Sequence, residues 1–150
     1  MLGSDKSPIT IRLAAASDAE QLAPLCDQLG YPSTPQEVAA RMERILGDER
    51  HAVFVAADRK GNLIGWVHVY LRPLLEEDLS AEVGGMVVEE SYRLHGAGRL
   101  LMQHAEDWAR QRGCRYVTVR SNIIRTAAHQ FYERLGYVRI KTQLAFRKFL

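Results

Sequence analysis

Apolar residues recur along the chain with two different periods, and the period predicts which segments are strands and which are helices. Short apolar or alternating runs predict strands over residues 9–14, 51–57, 63–72, 81–88 and 115–120, with one or two closing strands over 137–150. Apolar residues spaced three and four apart predict helices that end near Gly30, Gly47 and Gly113, and a further helix over 126–135. Strands and helices therefore interleave along most of the chain.

Two capping boxes mark where the first two helices are expected to begin. Ser17 precedes Glu20 by three residues, and Thr34 precedes Glu37 by the same spacing. Pro35 stands at the first helical position of the second helix, where its missing N–H is harmless. Two short helices are therefore predicted between the first and second strands.

The strand predicted over 63–72 has large residues on both of its faces. Val67 and Val69 alternate with Trp66 and His68, so both faces are expected to be covered. The predicted fold class is α/β, a mixed sheet with helices on both faces. A length of 150 residues suits a single domain, 1–150.

A glycine-containing turn at residues 93–98 joins a predicted strand to a predicted helix. The first N–H groups of a helix lack intrahelical acceptors and carry partial positive charge, so they favour an anion. Gly96 and Gly98 allow phosphate oxygens to approach the backbone, and Arg93, His95 and Arg99 add positive charge or donors. A diphosphate would fit this turn.

A Rossmann dinucleotide site is excluded for the same turn. That motif requires G-x-G-x-x-G in the first strand–helix unit, and here Leu101 occupies the third glycine position. The turn also lies beyond the middle of the chain.

Two segments resemble motifs of the GCN5-related N-acetyltransferases. Arg93-Leu94-His95-Gly96-Ala97-Gly98 matches the Gln/Arg-x-x-Gly-x-Gly/Ala loop of motif A, and residues 127–137 are similar to motif B. The resemblance covers nearly the whole chain and implies a mostly antiparallel, twisted central sheet. It also implies direct transfer of an acetyl group from acetyl-CoA to a primary amine of a small molecule or protein, in a ternary complex.

The resemblance implies how coenzyme A is held. The glycine turn would bind the pyrophosphate, and a bulge in the preceding strand would expose backbone to pantetheine. A backbone N–H, that of Val88 above all, would polarise the thioester carbonyl. The implied contacts are Met86, Val87, Val88, Arg93, Leu94, His95, Gly96, Ala97, Gly98, Arg99, Asn122, Arg125, Ala128 and Tyr132.

The resemblance also implies the proton-transfer groups. Tyr132 occupies the position of the general acid that protonates the leaving thiolate, with simple aromatic packing as the alternative. Glu82 is the candidate base for the amine, and the alternative is a solvated glutamate at a strand edge. His68, Glu89 or a water molecule are the other candidates for the base.

One position departs from the family pattern. Where members commonly carry a pantetheine-binding Asn, this chain has Arg125, and Asn122 lies three residues earlier. The contact is therefore lost, moved to Asn122, or replaced by Arg125 reaching the phosphates.

The composition and charge of the chain limit the classes of partner that it is expected to bind. A net charge of +2, with basic and acidic residues interspersed, argues against nucleic acid. The sequence shows no membrane span, leader peptide or metal-ligand spacing, and Cys26 and Cys114 suit a reduced, cytoplasmic protein. The acidic run Glu76-Glu77-Asp78 suggests a cationic acceptor if it borders the cleft, although a solvated loop is its simpler interpretation.

Two other functions remain open at this point. The chain would be a non-catalytic acyl-CoA-binding or sensing module if it kept the glycine turn without the chemistry, or an interaction domain without a cofactor. A homodimer is expected from the resemblance.

Overall fold

The computed structural model describes residues 8–150 and divides into two compact units, which meet in sequence between Val119 and Arg120. The strands in these residues are β1 (Thr10–Leu13), β2 (His51–Ala57), β3 (Leu63–Arg72), β4 (Ser80–Val88) and β5 (Val117–Val119). They form one sheet in the order β1-β2-β3-β4-β5. Neighbouring strands are antiparallel from β1 to β4, and β5 is parallel to β4.

Helices cover both faces of the sheet, as predicted. The helices of the first unit are α1 (Ala19–Leu29), α2 (Pro35–Leu46) and α3 (Ala97–Gln111). Val55 and Ala57 lie in a core with α1 and α2, whereas the ring of Phe54 contacts His104 of α3. Because successive strand residues point to opposite faces, α3 lies across the sheet from α1 and α2. Within residues 8–150, no helix is long and apolar enough to cross a membrane.

The second capping box is confirmed, but the first is wrong. The amide of Glu37 donates to Thr34 Oγ1 at 3.1 Å, and the amide of Thr34 donates to Glu37 Oε1 at 2.9 Å. At the first helix, Asp18 takes the role predicted for Glu20, because its carboxylate accepts from the amide of Ala15, three residues earlier, at 2.8 Å. The box therefore begins at Ala15, and a 3-10 turn, Ala16–Asp18, precedes α1.

Most element boundaries agree with the predictions to within a few residues. β2 and β3 have the predicted bounds, while β5 is shorter than the predicted 115–120. Helix α3 begins at Ala97, two residues before Arg99, where the helical spacing of apolar residues predicts its start. Cys26 and Cys114 are free, half-buried thiols, and burial raises the pKa of each.

The second unit contains one helix, α4 (Thr126–Arg134), and the closing strands predicted over 137–150 are absent from it. The amides of Gly136 and Tyr137 donate to carbonyl oxygens of α4, so the chain turns back at the helix end. Val138, Ile140 and Leu144 are exposed. Their alternation shows that the segment suits pairing, but a strand also needs a neighbour, and residues 120–150 contain no other strand.

The buried carboxylate of Asp18 should stabilise the first unit in a pH-dependent way. Two hydrogen bonds from Arg12, at 2.8 and 2.9 Å, are the largest cause lowering the pKa of Asp18 below 3.8. Its contribution is therefore fully present above about pH 4 and is lost as the pH falls through the lowered pKa. We expect Asp18→Asn to reduce the free energy of unfolding at pH 7 by roughly 1–2 kcal/mol, because Arg12 is partly exposed.

Urea unfolding at pH 7 and pH 3 measures this effect, and the difference between wild type and variant should shrink at pH 3. Asp107→Asn is the matched control, since Asp107 forms an exposed pair with Arg110 at 2.7 Å and should contribute little. Equal effects of the two substitutions would contradict the expectation.

Candidate active site

A bulge in β4 separates two parts of the strand with different neighbours. His68 of β3 pairs with Gly85 and Val69 pairs with Val83, so Gly84 is left out of the ladder. β5 pairs only with the segment from Ala81 to Val83. Within the first unit, the backbone beyond Gly84 therefore has a sheet neighbour on one side only, and this part carries Met86, Val87 and Val88. The expected bulge is present, two residues before Met86.

The turn after β4 is held by its own backbone and side chains. The carboxylate of Glu89 accepts from the amide and the hydroxyl of Ser91, so this alternative base caps a 3-10 turn. Arg93 Nε donates to the carbonyl oxygen of Val88 at 3.2 Å, which ties the turn to the strand end. Leu94 is fully exposed and has a φ of 71°, which is uncommon for a residue with a Cβ.

Helix α3 begins directly at this turn, and its first backbone amides are available as hydrogen-bond donors. Gly96 precedes the helix with a φ of 89°, and its carbonyl oxygen accepts the first intrahelical bond, from Leu100 at 3.1 Å. No side chain caps this helix start, and the first turn carries no acidic residue. The amides of Ala97, Gly98 and Arg99 are therefore placed to bind an anion.

Three cationic or donor side chains surround the same helix start. Arg93, His95 and Arg99 are all exposed. Gly98 lies inside the first helical turn and is not among the glycines with positive φ, so only Gly96 is required for its backbone conformation. Gly98 contributes its small size, which lets an anion approach the backbone as predicted from the sequence.

Glu82 is buried on β4 between two donors. Its side chain accepts a hydrogen bond from the hydroxyl of Tyr70, the residue directly opposite on β3. Arg72 Nη1 lies 3.3 Å from Glu82 Oε1. Only 6% of Glu82 is exposed, so the alternative of a solvated glutamate at a strand edge is wrong.

Two histidines continue this polar cluster across the sheet. His51 Nδ1 and His68 Nε2 share a hydrogen bond of 2.9 Å, and the His51 ring stacks on the rings of His68 and Tyr70. Burial, and then the neighbouring His51, lower the pKa of His68 to about 4. His68 is therefore neutral at pH 7.

Sequence reasoning did not find the partners of Glu82. Tyr70 and Arg72 were assigned only to the hairpin strand, and the signal that they belong to a site is their cross-strand register with β4. That register depends on the bulge at Gly84, which a residue pattern does not reveal.

Tyr132 lies on α4 in the second unit, among aromatic rings. Its ring contacts Phe131 and Tyr137 edge to face, with centroids 5.2 and 5.9 Å away. Burial raises the pKa of Tyr132, and nearby Arg125 opposes this effect. The phenol is therefore protonated at neutral pH, as a general acid must be.

The residues before α4 form a local turn. Asn122 Oδ1 accepts from the amide of Ile124 at 3.1 Å, and His129 Nε2 lies 2.8 Å from the carbonyl oxygen of Asn122. Arg125 occupies the N-cap position of α4 and is exposed, and Ala128 lies half-buried in its first turn. The side-chain oxygen of Asn122 is thus engaged locally.

The acidic run lies beside an open depression of about 460 Å³ near the start of β4. Asp78 pairs with Arg115 at 3.1 Å, which offsets part of the negative charge. Among residues 8–150 there is no group of three or more His, Cys, Asp or Glu that could hold a metal ion. The depression is lined by Leu75, Glu76, Glu77, Asp78 and Tyr116.

Proteins named as N-acetyltransferases match most of this chain, two in sequence and one in fold. Aminoglycoside N(6')-acetyltransferase type 1 of Klebsiella aerogenes is 28% identical over 150 residues, covering 96% of this chain and 98% of that protein. N-alpha-acetyltransferase RimI of Mycobacterium tuberculosis is 29% identical over 137 residues, covering 91% and 83%. The structure of aminoglycoside N-acetyltransferase AAC(6')-Iy in complex with CoA superimposes with a TM-score of 0.87 at 22% identity, covering 98% and 99%.

The bulged strand, the glycine turn and the uncapped helix start are the features that the sequence resemblance implies for a transferase that binds an acyl-CoA. The family model for the GNAT acetyltransferases matches residues 17–137, and the chain belongs to this family. It is an N-acetyltransferase that uses acetyl-CoA to acetylate an amine, as predicted. The alternative of a non-catalytic binding module is set aside.

The half-buried His68 should give the first unit a second pH-dependent contribution to its stability. The unfolded chain binds a proton at His68 near pH 6.5, whereas the native state does so only near pH 4. Stability contributed by the neutral imidazole is therefore lost as the pH falls from about 6.5 towards 4. We expect wild type to lose more unfolding free energy than His68→Gln between pH 7 and pH 5.

Urea unfolding at pH 7, 6 and 5 gives the free energy of unfolding of wild type and of His68→Gln, and hence the slope of that free energy against pH for each protein. His95→Gln is the matched control, because His95 is exposed and its removal should leave the slope of wild type unchanged. Identical slopes for wild type and His68→Gln would contradict the assignment.

Proposed function

We propose that this enzyme acetylates a primary amine of a polycationic small molecule, with the aminoglycosides as the leading class of acceptor. The observation that carries the proposal is the acidic depression at residues 75–78, in the loop that joins β3 to β4. That loop connects the strand carrying Tyr70 and Arg72 to the strand carrying Glu82. Negative charge there would attract a cationic acceptor towards the buried carboxylate.

The similarity to aminoglycoside N(6')-acetyltransferases supports the same acceptor class. Such relatives from Klebsiella aerogenes and Stenotrophomonas maltophilia match over 96% and 92% of this chain. A peptide N-terminus is the second candidate, and it is favoured by the similarity to RimI over 91% of the chain.

The uncapped start of α3 would hold the pyrophosphate of acetyl-CoA, with Arg93, His95 and Arg99 around it. Pantetheine would run along the β4 backbone at Met86, Val87 and Val88, where the Val88 amide polarises the thioester carbonyl. Because the side-chain oxygen of Asn122 already accepts from the amide of Ile124, Arg125 is favoured as the residue that replaces the usual contact of Asn with coenzyme A.

Two side chains would carry the protons. Tyr132 would protonate the leaving thiolate, because its raised pKa keeps the phenol protonated. Glu82 would accept the proton of the acceptor ammonium. Attack on the thioester would follow directly, without an acyl-enzyme.

The whole chain would act as one catalytic domain, since the family model spans both units. We further propose a cytoplasmic homodimer. The exposed apolar residues Val138, Ile140, Leu144 and Phe146 favour a partner for the last segment.

Binding of acetyl-CoA at the glycine turn can be tested by thermal unfolding. At one hundred times its Kd, a ligand of the native state stabilises by about 2.7 kcal/mol, which should raise the midpoint by roughly 5 to 11 °C. We expect Gly96→Val to abolish most of this shift, because its Cβ disfavours the φ of 89° and blocks the phosphate.

Gly113→Val is the matched control at the other end of α3. Gly113 also has a positive φ, 78°, with open space around it, so its replacement should lower the midpoint by a similar amount. The increase caused by acetyl-CoA should persist in this variant. Loss of the increase in both variants, or in neither, would exclude the turn as the binding site.

The acceptor class can be tested with amines of different charge. Wild type should acetylate aminoglycosides that carry a 6'-amino group and leave those with a 6'-hydroxyl group unmodified at that position. We expect Glu76→Gln with Glu77→Gln to raise KM for the aminoglycoside several-fold, with KM for acetyl-CoA unchanged, because two attracting charges are removed.

Glu106→Gln with Asp107→Asn removes the same charge from α3 and should leave both KM values unchanged. A preference for peptide N-termini over aminoglycosides would favour the second candidate. An unchanged KM for the aminoglycoside in the Glu76 and Glu77 variant would exclude the depression as the acceptor site.

A further inference from the structure

We propose that Tyr70 is a catalytic residue that relays the proton of the acceptor ammonium to Glu82. This inference rests on the proposed role of Glu82 and adds the group that contacts the amine. It follows from the burial of Glu82, the hydrogen bond to Tyr70 and the absence of a side chain at Gly84.

Glu82 is too deeply buried to receive a proton directly from a bound amine. Only 6% of the residue is exposed, and the hydroxyl of Tyr70 donates to one of its oxygens. The other oxygen faces Arg72 at 3.3 Å. A proton can pass to Glu82 through the hydroxyl of Tyr70 without any movement of the sheet.

The bulge places a residue without a side chain, Gly84, next to the ring of Tyr70. Gly84 is exposed, and a Cβ built on it would lie 3.1 Å from the Tyr70 ring and 3.6 Å from His68 Nδ1. The missing side chain therefore leaves room above the ring edge of Tyr70. This room lies where β4 leaves its pairing with β5, at the start of the proposed path of pantetheine.

The neighbouring rings of His51 and His68 pack against Tyr70 and hold it in place. His51 stacks on Tyr70 with ring centroids 5.5 Å apart, and His68 lies 5.6 Å away at 45°. His68 is neutral at pH 7, because its pKa is about 4. Charged groups next to the relay include Glu82 and Arg72, and Asp48 Oδ2 lies 3.9 Å from His51 Nε2.

The proton transfer is balanced at each atom. The ammonium N–H bond breaks and an O–H bond forms at Tyr70 Oη, while the original proton of Tyr70 moves to Glu82 Oε2. The lone pair left on nitrogen attacks the thioester carbon. After the product leaves, Glu82 returns its proton through Tyr70 to solvent.

The test compares Tyr70→Phe with wild type over a pH range that spans the pKa of the acceptor amine. Below that pKa we expect kcat to fall by about 10²-fold, a typical contribution of a general base, with KM for acetyl-CoA unchanged. Above it the two rates should converge, because the amine then arrives deprotonated. A group that ionises in both proteins changes both rates by the same factor, so its effect cancels in the ratio of the rates.

Double substitution separates a relay from independent effects. Tyr70→Phe with Glu82→Gln should be no slower than the slower single variant, since both residues act on one proton. Tyr31→Phe removes an exposed hydroxyl group and should leave the profile of wild type unchanged. If Tyr70→Phe does not fold, Glu82→Gln alone must show the converging profile.

Two outcomes would overturn the relay. One is a ratio of Tyr70→Phe to wild type that stays constant with pH, which marks a structural role. The other is an additive loss in the double variant. A wrong acceptor class can be told apart from a wrong relay. In the first case wild type would not acetylate aminoglycosides, but the ratio of the two rates could still be measured with whichever amine it acetylates.

Discussion

The change of pairing along β4 at Gly84 is the constraint on which the site depends. Before the bulge, β4 lies between β3 and β5, and a side chain such as Glu82 is enclosed. Beyond the bulge, the same strand pairs only with β3 inside the first unit, and no strand of that unit pairs with its other edge. One continuous strand therefore supplies both a buried carboxylate and main-chain donors, and a regular ladder would supply only the first.

The sequence predicted an element correctly where the contacts that fix its ends are made by residues close to it in the chain. The β2–β3 hairpin has the predicted bounds because Asp58 accepts from the amides of Lys60 and Asn62, and Gly61 takes a φ of 87° within the same turn. The first helix start was missed because Asp18 is selected by Arg12, six residues away on β1. The closing strands were missed because pairing requires a partner that alternation does not provide.

The same distinction applies to the candidate site. The glycine turn was recognisable because its donors and cations are contiguous from Arg93 to Arg99. Glu82 was identified from its place in the strand, but its contacts with Tyr70 and Arg72 depend on a register that shifts at the bulge. His51 reaches His68 only through cross-strand pairing, so its contribution to the low pKa of His68 was not predictable from either segment alone.

Leu94 shows what a rigid turn requires of its backbone. A left-handed conformation at a residue with a Cβ costs of the order of 1–3 kcal/mol, and Leu94 adopts it while its side chain is fully exposed. Glycine would relieve that strain, but it would also widen the range of conformations open to the free turn. A ligand held by the turn would then have to select one of these conformations, so the strained leucine would lower the entropic penalty of binding.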